Sequence, residues 1–160
     1  MSEPLTTYRG QVSSQWVDYN GHMRDAFYLL IFSYASDAVM ALLGLDDAGR
    51  EATGHSLFTL ECHLNYLREV KVGVDVEVRT QILGHDDKRL HLYHSLHLPS
   101  AKPTLATNEQ MLLHVDVAGP FATPFSAPVL ARVQGFWQVH QNLPVPTHVG
   151  RVISLGRAHA

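Results

Sequence analysis

The chain has 160 residues, of which 46% are hydrophobic and 17% are charged, and its formal net charge is -3. This length suffices for one buried core but hardly for two, so we expect a single domain over residues 1–160. The slight negative charge and the scattered basic side chains argue against a nucleic-acid partner, and no apolar run reaches the roughly 18 residues of a membrane span.

The N-terminal segment MSEPLTTYRGQ carries an acid before a base and has no apolar run. It therefore lacks the pattern of a secretory signal, and we expect a cytoplasmic protein with no membrane partner. Residues 6–16 are predicted to form the first strand, and the polar loop VDYNGHM follows. From about residue 22 to residue 43, apolar side chains recur at the spacing of a helix, and Gly44 is placed to end it.

Beyond this helix the hydrophobic period changes from 3.6 to 2 residues, which indicates strands. The predicted strands cover residues 56–67, 74–83, 89–98 and 105–117. The turns between them are too short for crossover helices, so consecutive strands should mostly pair antiparallel. We therefore predict an α+β fold with one long helix against the sheet. A proline-punctuated link over residues 118–128 then leads to a predicted C-terminal helix at about 129–141.

The order of strand, polar loop, long helix and four strands resembles the hotdog fold, in which a curled antiparallel sheet of about five strands wraps one central helix. The loop VDYNGHM is similar to the DxNxHV motif of hotdog thioesterases related to the 4-hydroxybenzoyl-CoA and plant acyl-carrier-protein enzymes. The segments TLECHLNY, KRLH, ATNEQM and HVD resemble the bacterial thioesterases of carnitine breakdown, which hydrolyse betainyl-CoA. Arg24 and Asp25 depart from the family, many members of which have two asparagines there.

The resemblance implies an acyl-CoA thioesterase that releases a carboxylate and CoA, without a metal or another cofactor. The acyl group would be betainyl, or alternatively another short-chain or aromatic group. A hotdog dehydratase is a rival interpretation, but its HFPGxPxxPG-type loop is absent. A second rival is a domain that binds acyl-CoA without hydrolysing it. The family also implies a homodimer, or a tetramer formed by two dimers, with active sites at the seam.

Thioester hydrolysis needs a group that attacks the carbonyl carbon or activates water, and donors that receive the oxyanion. The resemblance implies Asp18 as nucleophile or general base, with Asn20 and His22 positioning substrate or water. The unpaired N–H groups at the start of the following helix would supply the donors. The alternative is that Asp18 or Asn20 only caps this helix, and that His22 is a helix-end histidine bonded to solvent.

Glu61 is a candidate second carboxylate, because acyl-carrier-protein thioesterases resemble this chain in having a Glu-Cys pair after the helix. Strand alternation predicts that Glu61 shares a face with Leu57 and Thr59. A glutamate that only faces solvent is the alternative. Cys62, the single cysteine, falls on the more apolar face, where core packing is favoured over a nucleophilic role.

The segment HLYHSLH invites a test for zinc ligation. As a strand it places His91 and His97 on one face, about 20 Å apart, and His94 on the other, so ligation of zinc by all three is not expected. Glu109 is predicted to be a partly buried carboxylate or a structural hydrogen-bond hub, ranked below Glu61.

Substrate-binding residues are expected around the motif and on the second strand, where aromatic faces could hold a trimethylammonium group. The candidates are Trp16, Tyr19, Met23, Asp25, Tyr28 and Tyr66, with Phe27 as a further aromatic residue. The chain has no glycine-rich phosphate loop, so scattered basic residues are expected to contact the CoA phosphates. The candidates for that role are Arg24, Arg68, Lys71, Lys88 and Arg89.

Overall fold

The structure is a computed structural model that describes residues 3–156. The strands are β1 (Leu5–Gln11), β2 (His55–Tyr66), β3 (Asp75–His85), β4 (Arg89–His97), β5 (Thr104–Asp116) and β6 (Phe121–Ala122). The helices are α1 (Asp25–Leu42), α2 (Asp47–Thr53) and α3 (Ala127–His140). All strand pairs are antiparallel, the sheet order is β1-β3-β4-β5-β2, and β6 pairs with β5.

The sheet curls around α1, whose residues Ile31, Phe32 and Ala35 are completely buried. By length and composition alone α1 could cross a membrane. Its apolar side chains are instead explained by packing, because they form the core against residues such as Val78 of β3 and Leu96 of β4. The predicted α+β arrangement of one long helix against an antiparallel sheet is confirmed.

The start of the chain differs from the prediction in two places. Strand β1 ends at Gln11, and residues Ser14–Trp16 form a short 3-10 helix, with the Ser13 side chain accepting a hydrogen bond from the Gln15 N–H. Helix α1 begins at Asp25, and residue 22, its predicted start, instead belongs to the loop that pairs with Lys71. Because the loop pairs with the segment around Lys71, the helix begins later in the chain than predicted.

Two short elements were not predicted. Helix α2 is capped by Asp46, whose Oδ1 accepts a hydrogen bond from the Gly49 N–H at 2.9 Å, and Gly54 ends it at a φ of 69°. Strand β6 lies inside the proline-punctuated link over residues 118–128, where no strand was predicted. Helix α3 begins two residues before its predicted start at Val129 and ends one residue before the predicted end.

A bulge in β2 overturns the predicted alternation of that strand. Thr59 pairs with Leu112 of β5, and Glu61 pairs with the preceding residue Met111, so that Leu60 is the extra residue. An extra residue reverses the face of every later side chain in the strand. The prediction that Glu61 shares a face with Leu57 and Thr59 is therefore wrong.

Cys62 is exposed rather than packed in the core. Cys62 lines a cleft between β2 and α1 together with Leu57 and Thr59, so it does face the helix. Strand β2 lies at the edge of the sheet, where the described part of the chain leaves that cleft open. The prediction of a buried core thiol was wrong for this reason.

A buried row of polar side chains crosses the helix-facing side of the sheet. His94 is completely buried, its Nε2 lies 3.0 Å from Ser36 Oγ, and its Nδ1 lies 2.7 Å from Thr80 Oγ1. The row continues from Ser36 to Gln110 at 2.8 Å and from Thr80 to Thr7 at 2.7 Å. Burial lowers the pKa of His94 to about 3, so its imidazole is neutral.

Candidate active site

The polar motif forms a closed turn around Asp18. Asp18 Oδ1 accepts hydrogen bonds from the backbone N–H groups of Asn20, at 2.8 Å, and His22, at 3.1 Å. The backbone of Gly21, at a φ of 76°, donates to Asp18 O at 3.0 Å. The N-cap of α1 is Arg24, which makes no capping hydrogen bond with its side chain. Asp18 and Asn20 therefore do not cap this helix, and that alternative is wrong.

The charge of Asp18 is set by this turn. Burial raises the pKa of the carboxyl group, but the hydrogen bonds from the His22 and Asn20 backbone and the charges of His22 and Arg24 outweigh it. The pKa of Asp18 therefore lies below its ordinary value, and the group is ionised at neutral pH. Oδ2 accepts no hydrogen bond from the described residues, so one carboxylate oxygen remains open.

The segment that follows β2 holds the motif loop from the other side. The Met23 N–H donates to Val70 O at 2.8 Å, and the Val72 N–H donates to Gly21 O at 3.0 Å. This two-stranded pairing places Glu69 beside the loop, with its Oε2 3.3 Å from Nε2 of His22. Glu69 was not among the predicted site residues, because its position depends on this pairing rather than on any local motif.

Aromatic side chains gather at the first turn of α1. Tyr28 is buried, and its hydroxyl donates to Arg68 O at 3.4 Å. Tyr66 is 51% exposed, and its hydroxyl donates to Asp25 O at 3.2 Å. The two rings meet edge to face, with centroids 5.2 Å apart. The structure thus brings together three of the predicted substrate-binding residues.

The other predicted residues near the motif lie in different environments. Trp16 stacks on Phe27 at a centroid distance of 6.0 Å and supports the loop from behind. Met23 is buried in the core. Tyr19 is 93% exposed at the tip of the turn, next to the exposed side chain of Asn20. We conclude that Trp16 and Met23 have structural contacts, whereas Tyr19 and Asn20 are free to meet a ligand.

Glu61 lies apart from the motif in the described chain. It faces the side of the sheet away from α1, where it lines a cavity of about 350 Å³ with His63, His91 and Glu109. No hydrogen bond or ion pair joins Glu61 to Asp18 within residues 3–156. The role of Glu61 as a second carboxylate stays a prediction.

Glu109 has the contacts of a structural hub. Its Oε1 lies 2.8 Å from His91 Nε2, and its Oε2 accepts a hydrogen bond from the Gly150 N–H at 2.7 Å. It thereby ties the C-terminal segment to the sheet. As predicted, His91 and His97 line cavities on one side of the sheet, and His94 is buried on the other.

The candidate phosphate-binding residues divide into two groups. Arg24, Arg68 and Lys71 are exposed on the segments that form or flank the motif loop. Lys88 and Arg89 follow the far end of β3, a strand of 11 residues. A strand of that length spans about 36 Å, so these two residues lie too far from the motif to share a phosphate site with it.

Comparison with known proteins identifies the family. Residues 12–148 match the family described as the thioesterase-like superfamily. The chain belongs to this superfamily. It is 63% identical over 155 residues to a betainyl-CoA thioesterase of Pseudomonas aeruginosa, across 97% of this chain and 98% of that protein. A longer Agrobacterium fabrum protein, an L-carnitine dehydrogenase/betainyl-CoA thioesterase, is 42% identical over 147 residues, which are 92% of this chain and 30% of that one.

A solved structure shares the fold of this chain. A Staphylococcus aureus protein crystallised in complex with CoA superimposes with a TM-score of 0.89 at 29% identity, and 98% of each chain is covered. The predicted hotdog fold is confirmed, and so is the predicted enzyme class. The protein is an acyl-CoA thioesterase.

Proposed function

We propose that this thioesterase hydrolyses betainyl-CoA to glycine betaine and CoA in carnitine breakdown, in the cytoplasm, with Asp18 as the catalytic carboxylate. The observation that carries the proposal is the ionised Asp18 side chain, which is fixed through Oδ1 and open at Oδ2. A thioester carbonyl can approach that oxygen without breaking either hydrogen bond of the turn.

The start of α1 offers a donor for the developing oxyanion. The backbone N–H of Asp25 donates to no acceptor among residues 3–156. It lies at the positive end of the helix dipole, where negative charge is stabilised. A carbonyl oxygen directed at this N–H would leave its carbon facing the Asp18 loop, since Asp25 follows the loop directly.

Two routes use the same carboxylate. In the nucleophilic route, Asp18 Oδ2 bonds to the carbonyl carbon, the C–S bond breaks, CoA leaves as a thiolate, and water hydrolyses the resulting anhydride. In the general-base route, Asp18 takes a proton from a water molecule while the water oxygen attacks the carbonyl carbon. The C–S bond then breaks, and the proton passes from Asp18 to the CoA thiolate. Asn20 and His22 are proposed to position substrate or water in either route.

The betainyl assignment is supported by the name and 63% identity of the Pseudomonas relative. It is also supported by the edge-to-face pair of Tyr28 and Tyr66, because aromatic rings attract quaternary ammonium groups. Arg24, Arg68 and Lys71 are the proposed contacts for the CoA phosphates.

We also propose a homodimer, or a dimer of dimers, formed through β2. This strand is one of the two edges of the sheet in the described chain, and its residues Phe58 and Leu60 are 43% and 56% exposed. An edge strand with exposed apolar side chains is a site of pairing with another chain. Joining two copies there would bring the partner's β2 residues toward the site, and Glu61 is the proposed carboxylate in that setting.

The experiment that tests the function is a panel of esters. Purified protein is assayed with betainyl-CoA, with the neutral isostere 3,3-dimethylbutanoyl-CoA, and with aromatic and medium-chain acyl-CoA esters. We expect kcat/KM for betainyl-CoA to exceed that for the isostere at least about tenfold. Equal or faster hydrolysis of the isostere would contradict the betainyl assignment and indicate a general short-chain thioesterase.

A further inference from the structure

We propose that the Glu69 carboxylate and the Tyr66 ring together recognise the positive charge of the acyl group. This inference rests on the proposed function and names the residues that make the site selective for a cationic substrate. Tyr66 is the last residue of β2, and Glu69 lies in the segment that follows. One short stretch of chain would therefore supply both groups that recognise the cation.

Glu69 lies between the catalytic loop and the aromatic pair. On one side its Oε2 is 3.3 Å from Nε2 of His22. On the other, the backbone O of the preceding residue, Arg68, accepts a hydrogen bond from the Tyr28 hydroxyl at 3.4 Å. Burial raises the pKa of the Tyr28 phenol, and the negative charge of Glu69 adds to that effect. The side chain of Glu69 is 78% exposed, which leaves its carboxylate accessible to a ligand.

Tyr66 is the aromatic candidate that is both accessible and held in place. Half of it is exposed, while its hydroxyl is bonded to Asp25 O and its ring is supported by Tyr28. Trp16, by contrast, stacks on Phe27. A ring that is already fixed loses little conformational freedom when a ligand binds, so Tyr66 is suited to hold a cation on its face.

The chemistry of the substrate matches this pair of groups. A trimethylammonium group has no N–H, so it cannot form the hydrogen bonds by which carboxylates bind ammonium groups. Aromatic faces and a nearby negative charge remain as its means of recognition. In a betainyl ester one methylene separates this cation from the carbonyl carbon. With the carbonyl between Asp18 and the Asp25 N–H, the cation reaches the surroundings of Tyr66 and Glu69, which contact Asp25 and His22 respectively.

Other charges lie around this position. Asp18 and Asp25 add negative charge, whereas the exposed side chains of Arg24 and Arg68 oppose it. The Asp18 carboxylate accepts hydrogen bonds from the Asn20 and His22 N–H groups and the Asp25 carboxylate from the Ala26 N–H, whereas the Glu69 carboxylate accepts no backbone hydrogen bond from the described residues. Glu69 is therefore the group whose charge should separate a cationic ester from a neutral one.

The test compares two esters in the full-length protein. In Glu69→Gln, we expect kcat/KM for betainyl-CoA to fall about tenfold and that for 3,3-dimethylbutanoyl-CoA to stay unchanged. Glu51→Gln, an exposed glutamate on α2, is the matched control and should change neither value. An equal loss with both esters would mean that Glu69 only positions His22, which overturns the inference.

A second pair of variants tests the ring. Tyr66→Phe keeps the aromatic face and should keep the preference for betainyl-CoA, whereas Tyr66→Leu should lose it. If the wild-type protein hydrolyses neither ester, the proposed function fails. If the wild-type protein prefers betainyl-CoA and Glu69→Gln and Tyr66→Leu retain that preference, only this inference fails.

Discussion

Asp18 and His22 are joined by two hydrogen bonds that close the motif loop, one to the Asp18 side chain and one between backbone groups. Asp18 Oδ1 accepts from the His22 N–H at 3.1 Å, and the Asp18 N–H donates to His22 O at 2.9 Å. The Asp18 carboxylate therefore stabilises the loop through the hydrogen bond to Oδ1, and the same hydrogen bond holds the carboxylate in place. Loss of its charge and loss of its hydrogen bonds can therefore be separated by mutation.

Asp18→Asn is expected to lower turnover by at least about two orders of magnitude while leaving the fold intact. The asparagine oxygen can accept the same hydrogen bonds from Asn20 and His22, but it is neither a nucleophile nor a base. Steady-state kinetics, with circular dichroism as the check on folding, make the measurement. Near-normal turnover in a folded variant would rule out a catalytic role for Asp18.

Ser36→Ala is expected to lower the free energy of unfolding by about 1–3 kcal/mol, because it leaves buried polar atoms of His94 and Gln110 without their partner. Ser33→Ala on the same helix is the matched control, since Ser33 is exposed, and it should change stability by no more than about 0.5 kcal/mol. Urea unfolding measures both. Equal stability of the two variants would show that the buried row contributes nothing.

His94 is expected to make the protein less stable as the pH falls below about 6.5. Burial lowers its pKa in the folded state from 6.5 to about 3, so between these values the unfolded chain binds a proton that the folded chain does not. This costs up to about 1.4 kcal/mol of stability per pH unit. His94→Gln should flatten the dependence measured by urea unfolding between pH 4 and pH 7. His148→Gln is the control, and an unchanged slope in His94→Gln would contradict the prediction.

Leu60→Lys is expected to convert the proposed dimer to a monomer, because a charge on the exposed edge strand opposes pairing with a second copy. Light scattering at micromolar concentration gives the mass. Val145→Lys, at an exposed apolar residue of the C-terminal segment, is the control and should keep the wild-type mass. A wild-type protein that is monomeric and fully active would refute the proposed assembly.

The long strands and the central helix were predictable because one face of each is buried. In β3, for example, Val76, Val78 and Ile82 are at most 1% exposed. Helix α2 was missed for the converse reason. Its seven residues include none that is buried, so no hydrophobic period marks them.

The site was only partly predictable. Asp18 and the loop around it form a local motif, which a sequence can show. Glu69 reaches His22 through pairing between two segments that are nearly 50 residues apart, and nothing in either segment alone indicates the contact. The side on which Glu61 points depended on a bulge at Leu60, which has no signature in the residue pattern.

That bulge makes β2 respond differently to the loss of a residue at neighbouring positions. Deleting Leu60, the extra residue, would leave Thr59 paired with Leu112 and Glu61 paired with Met111, so every later side chain would keep its side of the sheet. Deleting Cys62, which has a partner in β5, would instead turn each later residue of β2 to the opposite side, and Tyr66 would leave the first turn of α1. The folded protein is therefore expected to tolerate the loss of one residue at position 60 better than the loss of one residue further along the same strand.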